Sequence, residues 1–195
     1  MFRSHPFVPL RRHKPAGFTL VELMVVVLIA AILLGLGVPA LQTLVAANQL
    51  NGVTDGFASA LNEARSEAAK FGVNVALTPT NGGVDWGGGW TMATAPVGAL
   101  PAGMPGTLRT GTAVPAGYTM KSNAPFAGGV TFDPTGRLAA GAAGEFVICQ
   151  GGGPAGGGKA QMVSVAASGR VRVSQNDPSG YPINDAGVTV TTCSP

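Results

Sequence analysis

Histidine is absent from residue 14 to the end of the chain; the only two, His5 and His13, lie in a basic N-terminal stretch. Without histidine the remainder cannot build a His-based triad or most zinc sites. Cysteine is scarce as well, and Cys149 and Cys193 are too few for a thiolate cluster. No metal site and no cofactor are expected. Charged residues make up only 11%, yet hydrophobic residues reach 46%, so the composition is that of a packed chain and not a disordered one. With 30 Gly and 15 Pro among 195 residues, the exterior should be rich in turns.

Positive charge is also missing where a nucleic-acid binder would need it. The sequence pI of 9.2 looks basic, but Arg3, Arg11, Arg12 and Lys14 all precede Gly17. Beyond that point 8 basic side chains face 9 acidic ones, a sum of −1. The basic character belongs to the first residues, and the rest is close to neutral.

What the chain does have is a long apolar run, GFTLVELMVVVLIAAILLGLGVP, over residues 17–39. From Phe18 to Val38 it counts 21 residues with a single charge, Glu22. At ~1.5 Å per residue a helix of that length crosses a ~30 Å hydrocarbon core. Basic residues before the span, and none after it until Arg65, predict a cytoplasmic leader and an exported remainder. A secretory signal is cut after its apolar core, whereas here the small residue, Gly17, lies before it. A cut at Gly17 leaves the span on the mature chain. Glu22 then needs a partner, because a carboxylate facing lipid costs ~2.5 kcal/mol or more.

Gly17, Phe18, Thr19, Leu20, Val21 and Glu22 together resemble the class III leader of type IV pilins and type II secretion pseudopilins. The resemblance implies that a prepilin peptidase cuts after Gly17 and methylates the new terminus at Phe18. It also implies that Glu22 pairs with the terminal amine of a neighbouring subunit during assembly, and that the chain waits in the inner membrane. Export places Cys149 and Cys193 in a disulfide-permissive compartment, where two cysteines allow one intramolecular pairing. Such a bridge contributes roughly 4 kcal/mol on the chain-entropy description. Two free buried thiols are the alternative.

Residues 1–17 read as the removable leader, 18–38 as the transmembrane and assembly helix, 39–72 as its amphipathic continuation, and 73–195 as a β-rich domain. Pro39 at the exit of the span should kink the helix and not end it. Apolar residues recur at Ala46, Leu50, Val53, Phe57, Leu61, Ala64, Ala68 and Phe71, three or four apart, with Gly72 as the stop. The stripe keeps no seven-residue repeat, which favours a helix docked on a sheet over a coiled coil. Seven β-prone runs follow: 73–78, 89–94, 118–122, 129–132, 145–150, 161–166 and 170–174. Residues 95–117 and 151–158 read as loops. The expected fold is α+β, a long N-terminal helix packed on antiparallel β-sheets.

Ala64-Arg65-Ser66-Glu67-Ala68, the WGGGW pair Trp86 and Trp90, Phe132 with Pro134, Gly136 and Arg137, and Ser168-Gly169-Arg170-Val171-Arg172 resemble the GspH/FimT branch of the pilin-like proteins. That resemblance implies a minor pilin of the FimT or FimU kind, assembled into a pilus tip or initiation complex. The alternative is a GspH-like minor pseudopilin of a type II secretion system. Either is non-enzymatic, and its partners are other pilins or pseudopilins.

Three stretches invite other chemistry. Gly153, Gly158 and Lys159 match the spacing of a phosphate-binding loop, but Ala160 stands where Ser or Thr would hold magnesium, and a strand pattern follows. Asp177, Asn184 and Asp185 match no EF-hand spacing and fit turn chemistry. Trp86 and Trp90 read as core anchors, with glycan stacking as the weaker alternative. In SGRVRVS, strand alternation puts Arg170 and Arg172 on one face, where two guanidiniums can grip successive phosphates. In the FimT branch this Gly-Arg-x-Arg pattern is associated with DNA capture; Lys159 and Arg137 are candidates to extend the patch. The competing reading is a solvated edge whose arginines bridge to Asp133 or Glu145. Tyr181 is the nearest aromatic, so binding should follow phosphate and not sequence.

Overall fold

A computed structural model describes residues 17–95, 106–156 and 158–195. Residues 1–16, the stretch 96–105 and residue 157 lie outside the described residues, and with them part of both expected loops. The chain divides into two compact units, Met1–Thr43 and Leu44–Pro195. Helix α1, Leu20–Phe71, runs through both, and its helical backbone continues across Pro39.

In the first unit α1 is apolar on every side. Leu23, Val25, Ile29, Leu33 and Leu36 are all exposed, and no residue of its most apolar window is buried. A helix without a polar face has no core to pack against in water, and its length and composition suit a membrane.

In the second unit α1 becomes one-sided. Leu50, Phe57, Leu61, Ala64 and Ala68 are buried at helical spacing, while Asn48, Asn51, Asp55 and Asn62 are exposed. Thr54 shares the buried face because its Oγ1 donates to the Leu50 carbonyl at 2.9 Å, which satisfies the hydroxyl inside the helix. The expected stripe ends one residue early: Phe71 is exposed beneath the Lys70 ammonium, 4.5 Å from its ring centre. Gly72 at φ 69° then stops the helix, its N–H donating to the Ala68 carbonyl at 3.0 Å.

Two antiparallel four-stranded sheets cover this face. Sheet A has the order β3-β2-β1-β5, built from β1 Val75–Pro79, β2 Trp90–Thr94, β3 Thr107–Gly111 and β5 Val130–Phe132. Sheet B has the order β4-β6-β7-β8, from β4 Tyr118–Ser122, β6 Gly144–Gln150, β7 Ala160–Val165 and β8 Val171–Val173. Strand β3 is a correction, since it lies inside the stretch read as a loop. It is an edge strand with only Leu108 and Gly111 partly covered, so it lacks the apolar alternation that marks a strand in sequence.

The core lies between α1 and the two sheets. Phe57 from the helix meets Trp86 and Phe146 edge-on, with ring centres 5.7 and 4.8 Å away. Trp86 is fully buried and donates its indole N–H to the Ser122 hydroxyl at 3.2 Å; Trp90 is 6% exposed. Both tryptophans are core anchors, and neither offers a face for glycan stacking. On the outer face of sheet B, Val147, Cys149, Ala160 and Met162 form a second cluster covered by Val190 and Cys193 of the C-terminal segment. The disulfide Cys149–Cys193, with its Cα atoms 5.9 Å apart, pins that segment to β6.

Candidate functional site

Two regions carry the side chains of interest, one in each unit. At the start of α1 the Thr19 Oγ1 accepts the Glu22 N–H at 3.2 Å, an N-terminal cap that satisfies one free backbone donor. Glu22 is exposed in the first turn of the helix, and no side chain among the described residues pairs with its carboxylate. Gly17 and Phe18 precede the helix in exposed, non-helical backbone.

In the second unit three sequence motifs meet at one point. Arg65 of α1 donates its Nε–H to the Gly136 carbonyl at 2.9 Å. Gly136 sits in the turn after β5, where Asp133 accepts from the Thr135 hydroxyl at 2.6 Å, the Thr135 N–H at 2.8 Å and the Arg137 N–H at 3.1 Å. The Thr135 hydroxyl bond, with those backbone N–H groups and the Arg137 charge, holds the Asp133 carboxyl below its ordinary range. Gly169 lies in the turn joining β7 to β8, closed by Gly169 N–H to Ala166 at 2.8 Å and Ala166 N–H to Arg170 at 3.0 Å. A side chain on Gly169 would collide with the Gly136 carbonyl. The Leu138 N–H reaches the Ala167 carbonyl at 3.1 Å and completes the junction between the two turns.

Around this junction Arg137 and Arg170 are exposed; Arg137 acts on the Asp133 carboxylate through its charge, and Arg170 has no side-chain partner among the described residues. The register Ser164↔Arg172 and Val165↔Val171, with Val171 packed on the core, turns Arg172 to the outer face of sheet B, whereas Arg170 lies outside the strand, just before β8. Arg172 does have a partner. It pairs with Asp185 at 3.6 Å, and not with Asp133 or Glu145 as the sequence suggests. Lys159 stands apart: it precedes β7 while Arg170 follows the turn after β7, so at ~3.3 Å per residue about 20 Å of strand separates them.

The remaining candidates resolve into structure. Ala160 opens strand β7 directly after the glycine-rich loop, so that loop leads into no helix N-terminus. Asp177 accepts from the Ser179 and Tyr181 N–H groups at 2.9 and 2.8 Å, and Asn184 from those of Ala186 and Val188 at 3.1 and 2.8 Å, which is turn chemistry. A cleft of about 570 Å³ between α1 and the stretch after β3 has Arg109 as its single charged lining residue, and Glu63 neutralises it. No acid–base pair lines it. Sequence reasoning missed Asp185 as the partner of Arg172, because the C-terminal segment folds back over sheet B by long-range contacts.

Comparisons with known proteins agree with this architecture. The family model described as Type II transport protein GspH matches residues 53–169, and the prokaryotic N-terminal methylation motif matches residues 12–38. No curated protein matches the chain. Among solved structures, the Pseudomonas aeruginosa (strain PAO1) type IV minor pilin FimU in space group P21 is similar at 24% identity and TM-score 0.57. That similarity covers 75% of this chain and 96% of the other. A second crystal form of FimU, in space group P65, gives 23% identity and TM-score 0.54, covering 74% and 99%. The methylation motif implies processing by a prepilin peptidase and assembly with other pilins. With its GspH region filling more than half of the sequence behind that motif, this chain belongs to the GspH family of pilins and pseudopilins.

Proposed function

We propose that this protein is a minor pilin of a type IV pilus. Its leader is cut after Gly17, Phe18 becomes the methylated terminus, and Glu22 pairs with the amine of a neighbouring subunit. Before assembly residues 18–38 hold it in the inner membrane, with the domain from residue 44 exported. The observation that carries the reading is the exposed Glu22 carboxylate in an all-round apolar helix, directly behind a methylation motif. A lone carboxylate there is costly in lipid unless assembly brings a cation to it. The fold neighbours, described as type IV minor pilins, favour the pilus over a secretion system.

The test is expression with a prepilin peptidase and mass measurement of the product. A mature chain beginning at a singly methylated Phe18 supports the reading, and an uncut chain overturns it. Glu22→Ala should be processed but fail to enter filaments. Deletion of the gene that removes pili and spares protein secretion fits a minor pilin; the reverse pattern makes the chain a pseudopilin.

A second role in DNA contact is favoured by Arg137 and Arg170, both exposed on either side of the Gly136–Gly169 junction. We assign phosphate contact to these two, with Arg172 joining by exchanging Asp185 for phosphate, and leave Lys159 outside the patch. Binding should be sequence-indifferent and salt-steep, with log K falling by ~0.9 per log unit of salt for each phosphate. Alanine at Arg170 and Arg172, or at Arg137 and Arg170, should remove it from a folded chain. Binding that persists in these variants or at high salt overturns the assignment.

A further inference from the structure

At the rim of sheet B the register Glu145↔Ser164 and Ser164↔Arg172 sets three side chains in one row across β6, β7 and β8. Directly opposed residues on one face stand ~5 Å apart, so the row is a contiguous polar strip on the sheet's outer face. The C-terminal segment lays Asp185 over it: the Asp185 carboxylate reaches Arg172 at 3.6 Å, and its backbone N–H faces the Glu145 carboxylate. Between them is a cleft of about 180 Å³ lined by Asn123, Gly144, Glu145, Ser164, Val165 and Asp185.

Ser164 is the unusual member of the row. It is 2% exposed, and its hydroxyl oxygen is buried with no hydrogen-bond partner, although it borders the cleft. A buried hydroxyl without a partner is destabilising, so something in the cleft is expected to satisfy it. Every potential donor atom around the cleft is oxygen. Two carboxylates, the Ser164 hydroxyl and the Asn123 Oδ1, which also accepts the Glu145 N–H at 3.1 Å, converge from four parts of the chain. Among the described residues no three His, Cys, Asp or Glu side chains gather, so the cleft offers two carboxylates and any cation there must complete its shell with neutral oxygens.

We propose that this cleft binds a calcium-class divalent cation through the carboxylates of Glu145 and Asp185 and the hydroxyl of Ser164, with Asn123 Oδ1 at its edge. An irregular, all-oxygen set completed by water suits calcium, which accepts 6–8 oxygens, better than magnesium, which demands a near-ideal octahedron. The two carboxylates and the Arg172 guanidinium sum to −1, so the cation is attracted but competes with Arg172 for Asp185. Low affinity follows, in the ~0.1–1 mM range of extracellular modules. Binding would tie the C-terminal segment to the rim of sheet B, at the end away from the disulfide.

The test is equilibrium dialysis of the full chain in detergent micelles against calcium chloride, with magnesium chloride in parallel. One saturable calcium per chain, with magnesium binding at least ~10-fold weaker, is the expected result. Glu145→Gln and Asp185→Asn should each weaken calcium ~10-fold or more, and Ser164→Ala severalfold, in chains that circular dichroism shows to be folded. Arg172→Gln should strengthen it, because the competing cation is gone; a purely structural Arg172–Asp185 pair predicts no such gain. Absence of saturable binding overturns the proposal, as does calcium affinity indifferent to Glu145→Gln and Asp185→Asn. Affinity unchanged in Ser164→Ala returns that hydroxyl to an ordinary buried water and overturns the coordination stated here.

Discussion

The Nε–H of Arg65 donates to the carbonyl of Gly136 at 2.9 Å, across 71 residues of sequence. Gly169 approaches the same carbonyl so closely that any side chain there would collide with it. Helix α1, the turn after β5 in sheet A and the β7–β8 turn in sheet B are therefore locked at one oxygen atom. Arg65 is a structural residue, and the exposed arginines beside it are held in place by this lock.

Arg65→Ala should destabilise the second unit by about 1.5–3 kcal/mol, the range for a hydrogen bond from a charged donor. Arg65→Lys should recover little of it, since an ammonium does not reproduce the fixed direction of the Nε–H bond. Urea unfolding of the full chain in micelles, followed by tryptophan fluorescence of the buried Trp86, measures both.

Gly169→Ala should cost about 2 kcal/mol or more, because φ is +80° at that position and the added methyl meets the Gly136 carbonyl. Combined with Arg65→Ala it should be clearly less than additive, since either change releases the same carbonyl. Additive losses in a double-mutant cycle would mean that the two contacts are independent.

Reduction of Cys149–Cys193, which closes a sequence separation of 44, should lower stability by up to about 4 kcal/mol. The first effect should be local: residues 175–195 become accessible to protease while sheet A and α1 stay protected. Proteolysis with and without reductant, read by mass spectrometry, checks the order of events.

Acid should loosen the Asp133 turn. Its carboxyl has a folded pKa below the ordinary 3.8, so its contribution is present above the unfolded value and is lost as pH falls through the lowered one. Asp133→Asn should flatten the stability profile below about pH 4 and leave it unchanged near neutrality apart from a constant offset. Unfolding midpoints from pH 7 down to pH 2, compared between the two chains, measure this difference.

Much of the architecture was legible in the residues because it is written locally. The apolar run after Gly17, the three-and-four spacing from Leu50 to Ala68, and the stop at Gly72 each depend on neighbours a turn or two away. Seven of the eight strands lie close to where β-prone runs sit between Gly, Pro and Asn. Strand β3 escaped because an edge strand, paired on one side and open on the other, needs no apolar alternation. The candidate arginines were legible as a motif but not as a surface. Nothing in SGRVRVS says that Arg172 is engaged by Asp185, or that Gly169 lies against the Gly136 carbonyl.

By sequence alone, then, this protein is a chain with an N-terminal apolar helix carrying a single carboxylate, behind a basic first stretch and ahead of a turn-rich β domain. Helical and strand periodicity, charge asymmetry and span length are properties of consecutive residues, and consecutive residues suffice to read them. The tertiary structure decided which distant groups meet: Arg65 with Gly136, Glu145 with Ser164 and Asp185, Cys149 with Cys193. Those meetings depend on sheet register and on where the C-terminal segment folds back. Both are settled by burial and pairing across the whole domain, and no short stretch contains them.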